Sequence, residues 1–438
     1  MPEKKTVKPL CSVLRYAVVF LASALLMFGL TVLSALIPKE TIRGNALASA
    51  EYLGSGDAVI KLIDKTEGSY INRKNDAAAL GIAWQYDSGS PLTSTMLSGY
   101  YKDPEKSERG SLTAAVEEDM APNRQRLAGW HGSAAVLRIV LVFTELKTVY
   151  IINAVILAGL AVWLVVLALR RKDRLLAFTL LFGMAAVSFW TAPFALTSFW
   201  CCSLTPALTI GVLLLSKNKH LQGCTALLLI GGVLTAYFDE FTSGLMTLLV
   251  PLAVLLREYH KNEENKPALV RYALKTALAW TVGFVGMYTL KWLLAAVILG
   301  GDPLPYVSDF LAEQIRSMAK IKQSFLLKEC IPKNISCLFP IGYGGVGKLA
   351  AGLFGLLLIY QCFIYYKKGS SRKYLILLAV GAILPYILFL VFAAQSRLSS
   401  YDTFRSQMIL PIAAVFAAEE FTRSRGDEPA PKRFHRKK

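Results

Sequence analysis

The chain has 438 residues, 54% of them hydrophobic, and a formal net charge of +18. Its mean hydropathy of +0.45 leaves too little polar surface for a soluble globular protein of this length and implies an all-α, polytopic helical membrane protein. The basic residues gather in short segments between apolar runs, a pattern that orients membrane helices, so the charge does not argue for a nucleic-acid partner.

The first apolar run, about 13–37, follows Lys4, Lys5, Lys8 and Arg15. It is too long for a signal-peptide core and no small-residue cleavage site ends it, so it reads as a retained span. A large loop, 38–147, comes next and carries apolar stretches such as AALGIAWQ. Its last part, Ser133 to Glu145, reads as a helix lying in the membrane interface, with Arg138 on it. Just before it, Trp130 and His131 stand in RLAGWHGS. Two readings of His131 stay open: a ligand contact beside a stacking tryptophan, or an interfacial anchor.

Spans follow at about 148–169, 175–193 and 200–216, the last two forming a hairpin with Pro193 in its turn and Trp190 and Trp200 at the interface. The run from Leu221 to Leu256 contains Asp239 and Glu240. As one helix it would be roughly 54 Å long and would place two acids at mid-membrane, at about 3 kcal/mol or more for an aspartate alone. Two shorter spans, 221–238 and 241–256, turning at the acid pair, avoid that cost. The remaining spans are 273–299, 349–366, 374–394 and 406–421, which makes ten, with both termini cytoplasmic and a second outer loop at 300–348. Residues 1–421 then form one transmembrane unit, and 422–438 is a basic cytoplasmic tail suited to anionic lipid heads.

Several local patterns have a structural and a chemical reading. GYGGVGKL, Gly342 to Leu349, looks like a phosphate-binding loop but has Leu349 where a hydroxyl would hold Mg²⁺, so it reads as a flexible entry into a span. Cys330 and Cys337 fall in the second outer loop, and a disulfide between them is slightly favoured over two thiols. Asn334-Ile335-Ser336 fits the N-glycan acceptor pattern. Lys291, some eight residues inside the end of its span, either snorkels outward or faces a cavity holding an anionic head group. No cluster of His, Cys and acids has metal-binding spacing, so no metal site is assigned. The outer side gathers the charged groups, including Asp402 and Arg405, and chemistry is expected there.

The segments NRKNDAAALGIAW, NRQRLAGWHGSAAVLR, YFDEFTSGLMTLLVP and SSYDTFR resemble those of a family of bacterial membrane proteins with GT-C-like topology. The resemblance spans most of the chain. It implies a plasma (inner) membrane glycosyltransferase that moves a hexosyl or pentosyl unit from a polyprenyl-phosphate-linked donor to an envelope glycan, lipid or protein acceptor. Membrane lipids are its other partners. The superfamily usually carries a catalytic acid, often in an Asp-rich pair, near the start of the first outer loop. This chain has only isolated acids there: Glu40, Glu51, Asp57 and Asp76. The resemblance makes Asp76 the leading base and Asp57 the second. Asp239 is a further catalytic candidate, and with Glu240 it is placed to orient sugar hydroxyls or hold a divalent cation (Mg²⁺ or Mn²⁺). Trp130, His131, Arg138 and Lys291 are assigned to substrate binding, and Arg316, Lys320 and Arg405 to the lipid phosphate. A lipid-linked-sugar transporter or flippase, or a non-catalytic envelope protein, is the alternative.

Overall fold

The computed structural model describes residues 9–217, 221–239, 242–262, 268–300, 329–340, 345–364 and 369–426. The long helices are α1 (Pro9–Ala35), α7 (Leu146–Arg170), α8 (Arg174–Ala186), α9 (Leu196–Lys217), α10 (Leu221–Phe238), α11 (Met246–Asn262) and α12 (Leu269–Leu299). Further along come α14 (Gly345–Ile364), α15 (Gly369–Val391) and α18 (Ile409–Gly426), so a helix stands at each of the ten expected spans. Among the described residues, five helices are long and apolar enough to cross a membrane: Val13–Ala35, Leu146–Arg170, Leu196–Ser216, Leu269–Leu299 and Arg372–Val391. Apolar side chains on several of these stay on the surface, such as Val155 and Val162 on α7 and Leu278, Val285 and Val297 on α12. Surface of that kind suits lipid rather than water. The molecule is an all-α membrane protein.

The run from Leu221 to Leu256 is broken at the acids. Helix α10 ends at Phe238, and α11 starts at Met246 after a turn. Packing then relies on small residues. Gly232 of α10 and Gly283 of α12 let the two backbones approach until a Cβ on either would strike a backbone carbonyl of the other, Trp280 or Leu229.

The region 38–147 folds into a compact cap over one end of the bundle. It contains α2 (Lys39–Gly54), α3 (Lys74–Gln85), α4 (Pro91–Leu97), α5 (Glu108–Glu117) and α6 (Gly132–Val140). Two short antiparallel strand pairs, unforeseen from the sequence, complete it: β1 (Val59–Lys61) with β2 (Tyr70–Asn72), and β3 (Gly99–Tyr100) with β4 (Arg124–Gln125). Its core, including Ile42, Leu53, Leu80, Trp84, Leu112 and Leu137, is continuous with Tyr150 of α7 and Leu196 of α9.

Helix α6, expected to lie in the membrane interface, has one face inside the protein. It packs against α1 and α3, and Ala134, Ala135, Leu137 and Arg138 are buried. The region before α14 holds α13 (Ile331–Ser336). Cys330 and Cys337 flank that helix and are free thiols, not a disulfide. Seven positions of helix separate them by roughly 10 Å, too far for a bridge. The glycan acceptor reading also fails, because Asn334 is fully buried and donates to the carbonyls of Cys330 and Ser396 at 2.8 Å each. Entry into α14 is tight rather than flexible at Gly347, where a Cβ would strike the carbonyls of Leu338 and Ile335. Residues 301–328 of the second outer loop lie outside the described residues.

At the opposite end from the cap, basic residues pair with acids between helices. Arg257 of α11 forks onto Asp173 before α8, at 2.6 and 3.0 Å, and onto Glu419 of α18, at 2.6 and 2.8 Å. Arg171 pairs with Glu258 at 2.7 Å, and Lys261 with Glu419 at 2.7 Å. This network ties the ends of four helices together.

Candidate functional site

Where the α10–α11 turn meets α12 and the segment after α15, the chain encloses a cavity of about 300 Å³. The turn contributes Asp239, Thr242, Gly244 and Leu245, and α12 contributes Trp280 and Phe284. Leu388, Phe389, Phe392 and Ser396 come from the end of α15 and from α16 (Ala393–Leu398), and Thr403 and Ser406 from beyond it. Trp280 and Phe284 are one helical turn apart, so their rings stack, at 5.0 Å and 10°, into one continuous wall. The Trp280 indole N–H donates to Thr247 Oγ1 at 3.1 Å, which fixes that wall to α11.

Asp239 is 2% exposed and is the one acid among the described residues that line the cavity. Its carboxylate also organises the turn. Oδ1 accepts from the Thr242 backbone N–H at 3.2 Å and from the Thr242 hydroxyl, and Oδ2 accepts from the Gly244 N–H at 3.0 Å. Its carbonyl receives the Tyr288 hydroxyl at 2.9 Å. These donors come from a turn of Thr, Ser and Gly, the residue types that satisfy the free backbone groups before a helix. The aspartate therefore does both things a hairpin acid can do, facing the cavity and capping the turn. Glu240 lies outside the described residues.

Beneath the cavity lip is a buried polar cluster. Asp402, in α17 (Ser400–Thr403), accepts from Asn72 Nδ2 at 2.8 Å and from the Ser198 hydroxyl at 3.3 Å. Arg405 stands one turn on, 3.8 Å from the Asp402 carboxylate, and donates to the Tyr401 carbonyl at 2.7 Å and to Thr191 Oγ1 at 2.9 Å. Burial pushes the Asp402 carboxyl above the ordinary carboxylate range, while Arg405 and the Asn72 and Ser198 hydrogen bonds pull it back. The next residue, Thr403, lines the cavity and donates to Asn334 Oδ1 at 2.6 Å.

The other sequence candidates do not reach this cavity. Asp76 is fully buried in the first turn of α3, where it accepts from the Tyr150 hydroxyl at 2.5 Å and the Leu196 backbone N–H at 2.9 Å. It joins the cap to α7 and α9 and does not line the cavity. Asp57 is exposed on the cap. His131 is the left-handed residue before α6, and its Nε2 lies 2.7 Å from the Arg126 carbonyl. Trp130 is buried and donates to the Met287 carbonyl at 2.7 Å. Arg138 turns inward, and its guanidinium donates to the carbonyls of Ala83, Trp84 and Ile37, where α3 and α1 end. Lys291 does not snorkel. Its ammonium is buried, 2.8 Å from the Thr95 carbonyl and 5.5 Å from the centre of the Trp130 ring. Arg316 and Lys320 lie outside the described residues.

Sequence reasoning missed Asn72, Ser198, Trp280, Thr403 and Ser406. Asn72, Thr403 and Asp402 do fall inside the quoted segments NRKND and SSYDTFR, and of the selected acids only Asp239 lines the cavity. The described lining of the cavity offers one acid, and Glu240, its partner in the cation reading, lies outside the described residues. No three His, Cys, Asp or Glu side chains gather among the described residues, and the single acid has donors on both oxygens. Compared with family models, with curated proteins and with solved structures, the chain matches none.

Proposed function

We propose that this chain is a membrane glycosyltransferase of GT-C type, moving one sugar from a polyprenyl-phosphate-linked donor to an envelope acceptor at the cap end, which faces outside the cytoplasm of a bacterial plasma membrane. One observation carries the reading: a sugar-sized cavity at the end of a membrane hairpin, walled by aromatic rings and holding a single acid. The faces of Trp280 and Phe284 suit the C–H faces of a sugar ring, and the hydroxyls of Ser396, Thr403 and Ser406 suit its hydroxyls. Asp239 accepts the proton of the acceptor hydroxyl as that oxygen bonds to the anomeric carbon. The bond from the anomeric carbon to the phosphate oxygen breaks, and its electron pair leaves with the phosphate.

The base thus moves from Asp76 to Asp239. Arg405 is bound to Thr191 and the Tyr401 carbonyl, which supports a role in positioning the Asp402 segment. Arg316 and Lys320 keep the assignment to the lipid phosphate. No step is routed through a metal. The test is transfer from lipid-linked sugars by purified protein in detergent. Asp239→Asn should lower the rate at least tenfold, the scale of a positioned charged group, with an unchanged size-exclusion profile. Wild-type protein that transfers from no polyprenyl-linked sugar would reject the activity, and full activity in Asp239→Asn would reject the base.

A further inference from the structure

A second hollow is separate from this cavity. A groove of about 800 Å³ runs between α14 and α15, over Ile335 and Leu410. It shares no lining residue with the Asp239 cavity. Its depth comes from Gly352 and Gly355 on α14, where an added Cβ would meet nothing within 4 Å. Around it the surface is apolar: Leu353, Leu356 and Phe363 on α14, and Val380, Ile383 and Ile387 on α15, are all exposed. Lys348 lines one end and Phe363 the other, roughly 22 Å apart along the helix, most of the roughly 30 Å hydrocarbon core of a bilayer.

We propose that this groove holds one acyl chain of an anionic glycerophospholipid, with the lipid phosphate against Lys348. Its walls offer a ligand shape and dispersion contacts but almost no hydrogen bonds, which suits a hydrocarbon chain. Lipid tails are apolar everywhere in the bilayer, so burial alone selects no lipid. Choice among lipids therefore falls to Lys348, the one charged group among the described residues that line the groove. The ammonium of Lys348 pairs with a phosphate and favours a head group of net negative charge. The groove is assigned to a glycerophospholipid and not to the sugar donor, because among the described residues it shares no lining with the cavity of Asp239. The inference stands whether or not the transferase reading does.

The experiment uses the full chain in nanodiscs of equal parts phosphatidylglycerol and phosphatidylcholine, released into detergent and weighed by native mass spectrometry. Wild type should keep one lipid, with phosphatidylglycerol preferred roughly fivefold, the worth of one lysine at a lipid surface. Lys348→Gln should keep a lipid and lose the preference. Gly355→Leu fills the groove and should retain none, and Gly352→Leu provides an independent second filling at an equally open position. Wild type retaining no lipid, or both leucine variants retaining as much as wild type, overturns the proposal. Unchanged preference in Lys348→Gln overturns the head-group contact. Displacement of phosphatidylglycerol by an equal amount of added polyprenyl phosphate overturns the assignment to a glycerophospholipid.

Discussion

Tyr150 donates its hydroxyl hydrogen to the buried carboxylate of Asp76 at 2.5 Å, joining α3 of the cap to α7 of the bundle. Burial pushes Asp76 up to about 7, with the Tyr150 and Leu196 hydrogen bonds opposing the rise. Between the unfolded value, about 4, and about 7, the folded chain holds a proton that the unfolded chain has released. Stability from this group is thus full below about 4 and falls as pH rises to about 7. Asp76→Asn should remove that slope. Melting temperatures in detergent from pH 5 to 8 check it: the wild type should lose stability relative to the variant as pH rises, and parallel curves would reject the assignment. Tyr150→Phe leaves an acceptor short of a donor and should cost about 1–3 kcal/mol.

What could be read from the chain alone follows from the range of each interaction. Continuous apolar runs declare themselves, and the cost of Asp239 and Glu240 at mid-membrane was enough to split one run in two. Direction was not legible. Arg138 and Lys291 both stand in apolar surroundings, and the pattern fits a side chain reaching for water as well as one reaching inward. Both turn inward, because carbonyls freed at the ends of α1, α3 and α4 lie within reach. Asp402 and Asn72 are separated by 330 positions, and nothing in either local sequence names the other. The cavity shares that property, since it draws two to four residues from each of four segments.

The second prediction concerns the charged network opposite the cap. Arg257 is almost wholly buried between Asp173 and Glu419. Arg257→Met leaves Asp173 and Glu419 with Lys261 alone as counter-charge, at 3.6 and 2.7 Å, and should cost up to about 3 kcal/mol. Arg257→Lys keeps the charge but not the fork, and should cost less. Burial would raise the Asp173 carboxyl, but hydrogen bonds and charge from Arg257, with Lys261, outweigh it and hold it at about 2. Its contribution is therefore present above about pH 4 and is lost as pH falls toward 2. Wild type should lose stability over that acid range faster than Asp173→Asn, by thermal melting of both.

The third prediction fixes orientation. Asp239 and Ser400 are both buried, so cysteines there would stay unlabelled from either side. Glu118 on the cap and Lys172 between α7 and α8 are exposed and serve instead. An impermeant thiol reagent should label Glu118→Cys in intact cells and Lys172→Cys only after lysis. Labelling of Lys172→Cys in intact cells would place the cap, and with it the cavity, on the cytoplasmic side.

The last prediction separates structure from ligand binding at His131. Its backbone has φ 53°, a left-handed conformation that costs most residues energy, and its ring is tied to the Arg126 carbonyl. It sits directly before Gly132, where a Cβ would strike the ring and carbonyl of Tyr237, so the chain cannot shift there to relieve the strain. A residue held that way acts on stability. His131→Ala retains the strained φ and loses the ring contact, so its melting temperature and its activity should fall together. His131→Asn, which tolerates the left-handed region, should recover part of the stability. Activity lost from His131→Ala at unchanged melting temperature would return His131 to the substrate, against its place in this fold.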